Sequence, residues 1–270
     1  AGSGVDPADP RTVLVLSSTK GNIDLLEERN KMAFSHKRLY LWEMARVIRQ
    51  FFGFTSAPVI ISNACISGVV AIMMASRYLR TGLYDHAVVS GGDIATEFVI
   101  SGFMSFQALS PSPCQPFDLN RTGLSLGEGC GTLVLSVNPE KNTDRLVVLG
   151  AATSNDANHI SGPSRTGAEL AHAIVTAMNE SGVTSSEIDY ISAHGTATPF
   201  NDEMESRALA IAQLTATPLN SMKGYWGHTL GAAGVIESVA ALASLRNNIL
   251  YRSAGFEEIG VPEPVNVITE

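Results

Sequence analysis

The sequence predicts an α/β fold, because short β-branched runs alternate with longer segments of helical period and that rhythm repeats in both halves of the chain. The first strand is Thr12-Val-Leu-Val-Leu-Ser17, apolar on both faces and so suited to a sheet covered on either side. An amphipathic helix follows over residues 38–52, then a buried strand at Pro58-Val-Ile-Ile-Ser62 and a helix from about Ile66 to Tyr78. Arg77 and Arg80 complement the negative end of that helix, and Gly82 can take a left-handed cap. Strands are predicted at 87–92 and 131–136, with a loop between them where Pro111, Pro113 and Pro116 break any regular element. The polar stretch Asn138-Pro-Glu-Lys-Asn-Thr-Asp144 is the predicted boundary between an N-terminal half, residues 1–137, and a C-terminal half, residues 138–270. Beyond it the rhythm resumes with a strand at 146–152, a helix at 167–180 ending at Gly182, a strand at 188–193, and helices at 203–213 and 231–246.

With 270 residues, 45% of them hydrophobic and 16% charged, the chain can form one large core or two smaller ones. A net charge of −8 without any basic run excludes a protein built mainly to neutralise nucleic-acid phosphates. Cys65, Cys114 and Cys130 fit neither a disulfide framework nor paired zinc knuckles, which predicts a reducing, cytoplasmic compartment. The longest apolar stretch, Pro58 to Ala75, is interrupted by Ser62, Asn63, Ser67 and Gly68, so it reads as a strand entering a helix, and no membrane span is expected.

Candidate chemistry begins at Cys65, at the junction of that strand and helix. A helix N-terminus favours thiolate, and the backbone N–H there can stabilise an oxyanion. A buried cysteine alone more often packs than reacts, and Cys114 and Cys130 are read as packing residues. Two histidines raise the weight of Cys65. His194, in Ala193-His-Gly-Thr-Ala-Thr-Pro199, follows a strand end, where α/β proteins carry their sites, and His228, in Gly227-His-Thr-Leu-Gly-Ala-Ala-Gly234, precedes a helix. A neutral imidazole can hydrogen-bond a thioester or enolate oxygen, or exchange a proton. A cysteine with two histidines is also a metal-ligand set, but no pair has the close spacing of a zinc site, so no metal is expected. Lys223 lies in an apolar setting and needs either solvent or a partner, and Glu237, which interrupts an apolar helix face, is the partner the sequence offers; both side chains snorkelling to the surface is the alternative.

Together these motifs resemble the β-ketoacyl-acyl-carrier-protein synthases, the elongating condensing enzymes of the thiolase-like superfamily. The resemblance rests on the nucleophile motif at Cys65, on Pro116-Phe-Asp-Leu-Asn-Arg-Thr-Gly-Leu-Ser-Leu-Gly-Glu-Gly129, on His-Gly-Thr-x-Thr-Pro at 194–199 with Asp202 and Glu205, and on Ser221-x-Lys223 with Gly-His-x-x-Gly-Ala-Ala-Gly and Glu237. Asn63 stands where the family usually has Thr. The resemblance implies two similar α/β halves in a layered αβαβα arrangement. It implies that Cys65 holds the acyl chain, that His194 and His228 bind the malonyl thioester oxygen and promote decarboxylation, that Lys223 with Glu237 supports the site electrostatically, and that Thr196 and Thr198 hydrogen-bond the pantetheine arm. The two-histidine pattern sets this group apart from initiating synthases and from thiolases with a second reactive cysteine.

The resemblance further implies an acyltransferase with no bound cofactor, whose substrate rides on the phosphopantetheine of an acyl-carrier protein, in fatty-acid or polyketide synthesis. The expected assembly is a homodimer, or a heterodimer with a ketosynthase paralogue, and Gly102-Phe-Met-Ser-Phe-Gln-Ala-Leu109 is a candidate for the dimer interface or the acyl tunnel. Arg46, Arg49, Arg77 and Arg80 are candidates for carrier docking, with solvated helix faces or end caps as the alternative. The family's opening strand and helix and its closing Gly-Phe-Gly-Gly type loop have no counterpart in the sequence, so the natural chain is expected to extend at both ends. Alternative functions are a non-catalytic, chain-length-setting partner of a ketosynthase and a Cys-His thioester hydrolase.

Overall fold

A computed structural model of the chain describes residues 3–30, 34–137, 146–157 and 162–270. The chain divides into two compact units that interleave along the sequence: Ala1–Ser101, Gly127–Leu146 and Thr229–Leu242 form the first, and Gly102–Leu126, Val147–His228 and Ala243–Glu270 the second. The boundary expected at 138–144 lies outside the described residues.

The first unit is built on a four-stranded sheet of β1 (Thr12–Ser17), β2 (Val59–Ile61), β3 (His86–Asp93) and β4 (Gly129–Ser136), in the order β2-β1-β3-β4. β1 runs parallel to β2 and β3, with Val15 beside Val59 and Val89, and β4 is antiparallel to β3, with Leu133 opposite Val89. Side chains alternate across a strand, so β1 feeds two cores. Val13 and Val15 join Val89, Ala71, Ala75, Leu79 and Val235, while Leu14 and Leu16 join Ala45 and Phe54. Apart from Val89 of β3, these partners come from α1 (Leu41–Phe52), α2 (Ser67–Arg80) and α7 (Ala233–Asn247), with Phe54 just past α1.

The helices depart from expectation at identifiable residues. The segment read as one helix from residue 38 is a 3-10 turn, His36–Leu39, followed by α1, because Tyr40 is extended at φ −78° and ψ 132°. Gly53 ends α1 at φ 75°, and Gly82 follows α2 at φ 72°, both left-handed positions that glycine takes without strain. α3 (Glu97–Ser105) was not foreseen: only Val99 is buried, while Phe98 and Met104 are exposed, so the segment has no apolar stripe to read.

The second unit contains α4 (Ala168–Ser181), the two-residue parallel strands β5 (Ile191–Ser192) and β6 (Leu219–Asn220), α5 (Pro199–Ile211) and the single turn α6 (Lys223–Trp226). Phe117, Leu209, Leu214, Leu219, Val265 and Val267 form its core. The strand expected at 146–152 is not formed, and Val147 and Leu149 are exposed instead. The strand expected at 188–193 shortens to Ile191–Ser192, because a strand extends only as far as its partner accepts hydrogen bonds and β6 offers two residues. α5 begins four residues early, at Pro199, whose fixed φ and missing N–H suit a first helical position. Among the described residues no helix is long and apolar enough to cross a membrane.

Candidate active site

The second unit brings His194, Thr196, Thr198, Lys223 and His228 to the ends of β5 and β6. Past β5 the chain makes a tight loop in which Gly195 and Ala197 both have positive φ, 40° and 61°. A left-handed alanine is strained and needs its surroundings to hold it. Two carboxylates from α5 do so. Glu205 accepts the N–H groups of His194 and Gly195, each at 2.8 Å, and Asp202 accepts those of Thr196 at 3.0 Å, Ala197 at 3.1 Å and Phe117 at 2.8 Å. Both carboxylates belong to the sequence motif, but that they anchor the loop backbone is visible only once α5 folds back on it.

Lys223 is 1% exposed, and its Nζ donates to the carbonyl of His194 at 2.6 Å and lies 3.3 Å from His194 Nδ1. An ammonium has only protons to offer, so Nδ1 accepts and the imidazole proton resides on Nε2, leaving His194 an N–H to present. The His194 and His228 rings meet edge to face, with centroids 5.2 Å apart and planes at 85°. Burial, then Lys223, then His228 hold the His194 pKa well below its usual value. Burial and Lys223 bring His228 down to about 3. Both rings are therefore neutral at physiological pH, the state in which each carries one donor and one acceptor nitrogen. Glu205 moves the other way: burial, helped by Asp202, pushes it up to about 7 against the Gly195 and His194 N–H groups and Lys223. Thr196 and Thr198 share a hydroxyl hydrogen bond of 2.9 Å.

Cys65 and Glu237 belong to the first unit. Cys65 is half-buried and stands two residues before α2. The turn that presents it includes Ala64 at φ 46°, and Ser67 braces it by accepting the Asn63 N–H at 2.8 Å and donating to the Ala64 carbonyl at 2.6 Å. Next to it Gly68 lies against Gly234 and Val235 of α7, where a Cβ would fall 2.6 Å from the Val235 nitrogen. Gly68→Ala is therefore expected to force the two helices apart and lower stability by roughly 1–3 kcal/mol, read as a lower urea midpoint with an unchanged m-value. Glu237 is half-buried on α7.

Two of the four arginines read as docking candidates have structural work of their own. Arg46 pairs with Glu43 at 2.7 Å, and Arg49 donates to the carbonyls of Phe54 and Thr55 beyond the end of α1.

Known proteins match this chain along most of its length. Residues 3–140 match the N-terminal domain of β-ketoacyl synthase, and residues 146–257 match its C-terminal domain. The chain is 35% identical over 208 residues to 3-oxoacyl-[acyl-carrier-protein] synthase 2 of Vibrio cholerae, covering 72% of this chain and 50% of that protein. It is 30% identical over 264 residues to a putative polyketide β-ketoacyl synthase 1 of Streptomyces halstedii, covering 93% of this chain and 62% of that one. The chain thus spans between half and two thirds of the length of these two relatives. Among solved structures, the ketosynthase ApeO of Xenorhabdus doucetiae, in complex with its chain length factor ApeC, superposes with a TM-score of 0.86 at 30% identity, over 96% of this chain and 68% of that one. The fold is accordingly thiolase-like α/β, and the chain belongs to the β-ketoacyl synthase family.

Proposed function

We propose that the protein catalyses a decarboxylative Claisen condensation of an acyl thioester with malonyl-acyl-carrier protein, giving 3-oxoacyl-acyl-carrier protein. The observation that carries this reading is the pair of neutral imidazoles, 5.2 Å apart, beside buried Lys223. Cys65 thiolate attacks the acyl carbonyl, the carbon–sulfur bond to the donor breaks, and the departing thiolate takes up a proton. In the malonyl thioester the bond to the carboxylate breaks, carbon dioxide leaves, and the electron pair forms an enolate. His194 and His228 donate N–H to the enolate oxygen, an arrangement worth most where water is excluded. The enolate carbon then attacks the acyl carbonyl, the new carbon–carbon bond forms, and Cys65 departs as thiolate.

Lys223 orders His194 through its carbonyl and Nδ1, and we assign Glu237 to the same electrostatic support. Thr196 and Thr198 are assigned to the pantetheine arm. No resident cofactor is required, because the phosphopantetheine belongs to the carrier-borne substrate. The proposed partners are an acyl-carrier protein and a second ketosynthase-type subunit, identical or paralogous, in the cytoplasm. The complex of ApeO with its chain length factor favours one second reading, a heterodimer in which this chain is one of the two subunits. Retention of Cys65 and both histidines assigns it to the catalytic side.

The test supplies full-length protein with malonyl-carrier protein and an acyl donor. A 3-oxoacyl product with stoichiometric carbon dioxide release is expected. Thioester hydrolysis without carbon dioxide release overturns the proposal in favour of a hydrolase, and activity only with a co-purified paralogue establishes the heterodimer.

A further inference from the structure

Lys223 opens α6 and His228 stands two residues past its end, and a four-residue helix cannot hold that spacing alone. A single turn fixes many backbone torsions for few internal hydrogen bonds and is unfavourable in isolation. Its backbone bonds include Tyr225 N–H to the Met222 carbonyl at 3.0 Å and Gly227 N–H to the Lys223 carbonyl at 2.9 Å, after which Gly227, at φ 76° and ψ −175°, turns the chain abruptly into His228. Two residues of the proline-rich loop and the strand-like segment after it grip this turn from outside. The Cys114 thiol donates to the Lys223 carbonyl at 3.0 Å, and the Ser125 carbonyl accepts the His228 N–H at 2.7 Å. The two grips are joined, because Ser125 Oγ accepts the Cys114 N–H at 3.0 Å and donates to the Ser112 carbonyl at 3.2 Å. Cys114 is 2% exposed, and burial pushes its thiol above the ordinary value, so it keeps the proton it donates.

We propose that Cys114 and Ser125 are positioning residues: as a joined clamp on the two ends of α6, they set where Lys223 Nζ meets His194 and where the His228 ring faces it. A packing cysteine would need only its volume, whereas this role needs the donor hydrogen. The kinetic consequence rests on the condensing reading of the site, but the clamp itself does not.

The test compares Cys114→Ala, Ser125→Ala and Cys114→Ser in the full-length protein. The two alanine variants are expected to speed amide hydrogen exchange at Gly227 and His228 about tenfold, while the amides of β1 keep wild-type protection. They are also expected to lower kcat for malonyl-carrier decarboxylation about tenfold with KM within about twofold. Cys114→Ser, which restores a donor, returns both readouts to wild type. Wild-type exchange at Gly227 and His228 in Cys114→Ala overturns the clamp, as does failure of serine to restore it. A wild-type protein that decarboxylates nothing overturns the condensing reading instead, and the exchange measurement still decides the clamp.

Discussion

Cys65→Ala is expected to abolish acyl transfer and condensation, by roughly a thousandfold or more, while malonyl-carrier decarboxylation survives within about tenfold of wild type. The separation follows from the chemistry assigned to each group. Only Cys65 has a nucleophilic atom on the turn braced by Ser67, so alanine removes the covalent acyl-enzyme outright. In the proposed reaction the carbon–carbon bond of the malonyl group is cleaved with the help of imidazole N–H groups, which alanine at residue 65 leaves in place. Intact-mass analysis after exposure to an acyl thioester gives the first readout: wild type gains the acyl mass and the variant does not. Carbon dioxide release from malonyl-carrier protein gives the second. Acylation of the variant to the wild-type extent would remove Cys65 from the mechanism.

Glu205→Ala is expected to cost roughly 2–5 kcal/mol of stability and to lower activity with it. The carboxylate accepts two backbone N–H groups, those of His194 and Gly195, which alanine would leave buried and unsatisfied. Glu205→Gln separates charge from shape, since one amide oxygen can still accept while the NH2 faces the second donor. Its pH dependence has a definite sign. Glu205 is raised from 4.5 to about 7, so the folded protein binds this proton more tightly than the unfolded chain. Its contribution is full below about pH 4.5 and is lost as pH rises to about 7, a change of roughly 3 kcal/mol at 1.36 kcal/mol per pH unit.

His228 acts in the opposite direction. Lowered from 6.5 to about 3, it contributes stability above about pH 6.5 that is lost as pH falls toward 3. The wild-type profile sums both, so the informative quantity is wild type minus Glu205→Gln in urea unfolding between pH 4.5 and 7.5. That difference is expected to shrink as pH rises. A difference independent of pH would mean that Glu205 is ionised throughout.

The residues proposed for the reaction were legible in the sequence because each lies in a motif whose local chemistry is unusual. One histidine follows a strand end and the other precedes a helix, both among small residues, a lysine sits in an apolar setting, and a cysteine opens a helix. The long elements were legible for a related reason. Val13 to Leu16 is an unbroken apolar run inside the strand observed, Thr12–Ser17, which is buried along its whole length, and the helices marked by Gly82 and Gly182 end beside those glycines. The short elements were not. β5, β6 and α6, with two, two and four residues, carry no period to detect, and α3 is apolar without a stripe.

The sequence by itself determined the α/β class, the nucleophile candidate and the histidine–lysine set, because these depend on residue type and on neighbours a few positions away. The tertiary structure decided what holds them. Glu205 anchors the His194 loop from another element, and the Cys114 thiol reaches the Lys223 carbonyl across 109 residues of sequence. No local pattern encodes such contacts: hydrogen bonds between distant segments exist only where folding brings a donor and an acceptor within reach and leaves neither to water. Cys114 reads as packing in sequence and acts as a donor in the fold for that reason.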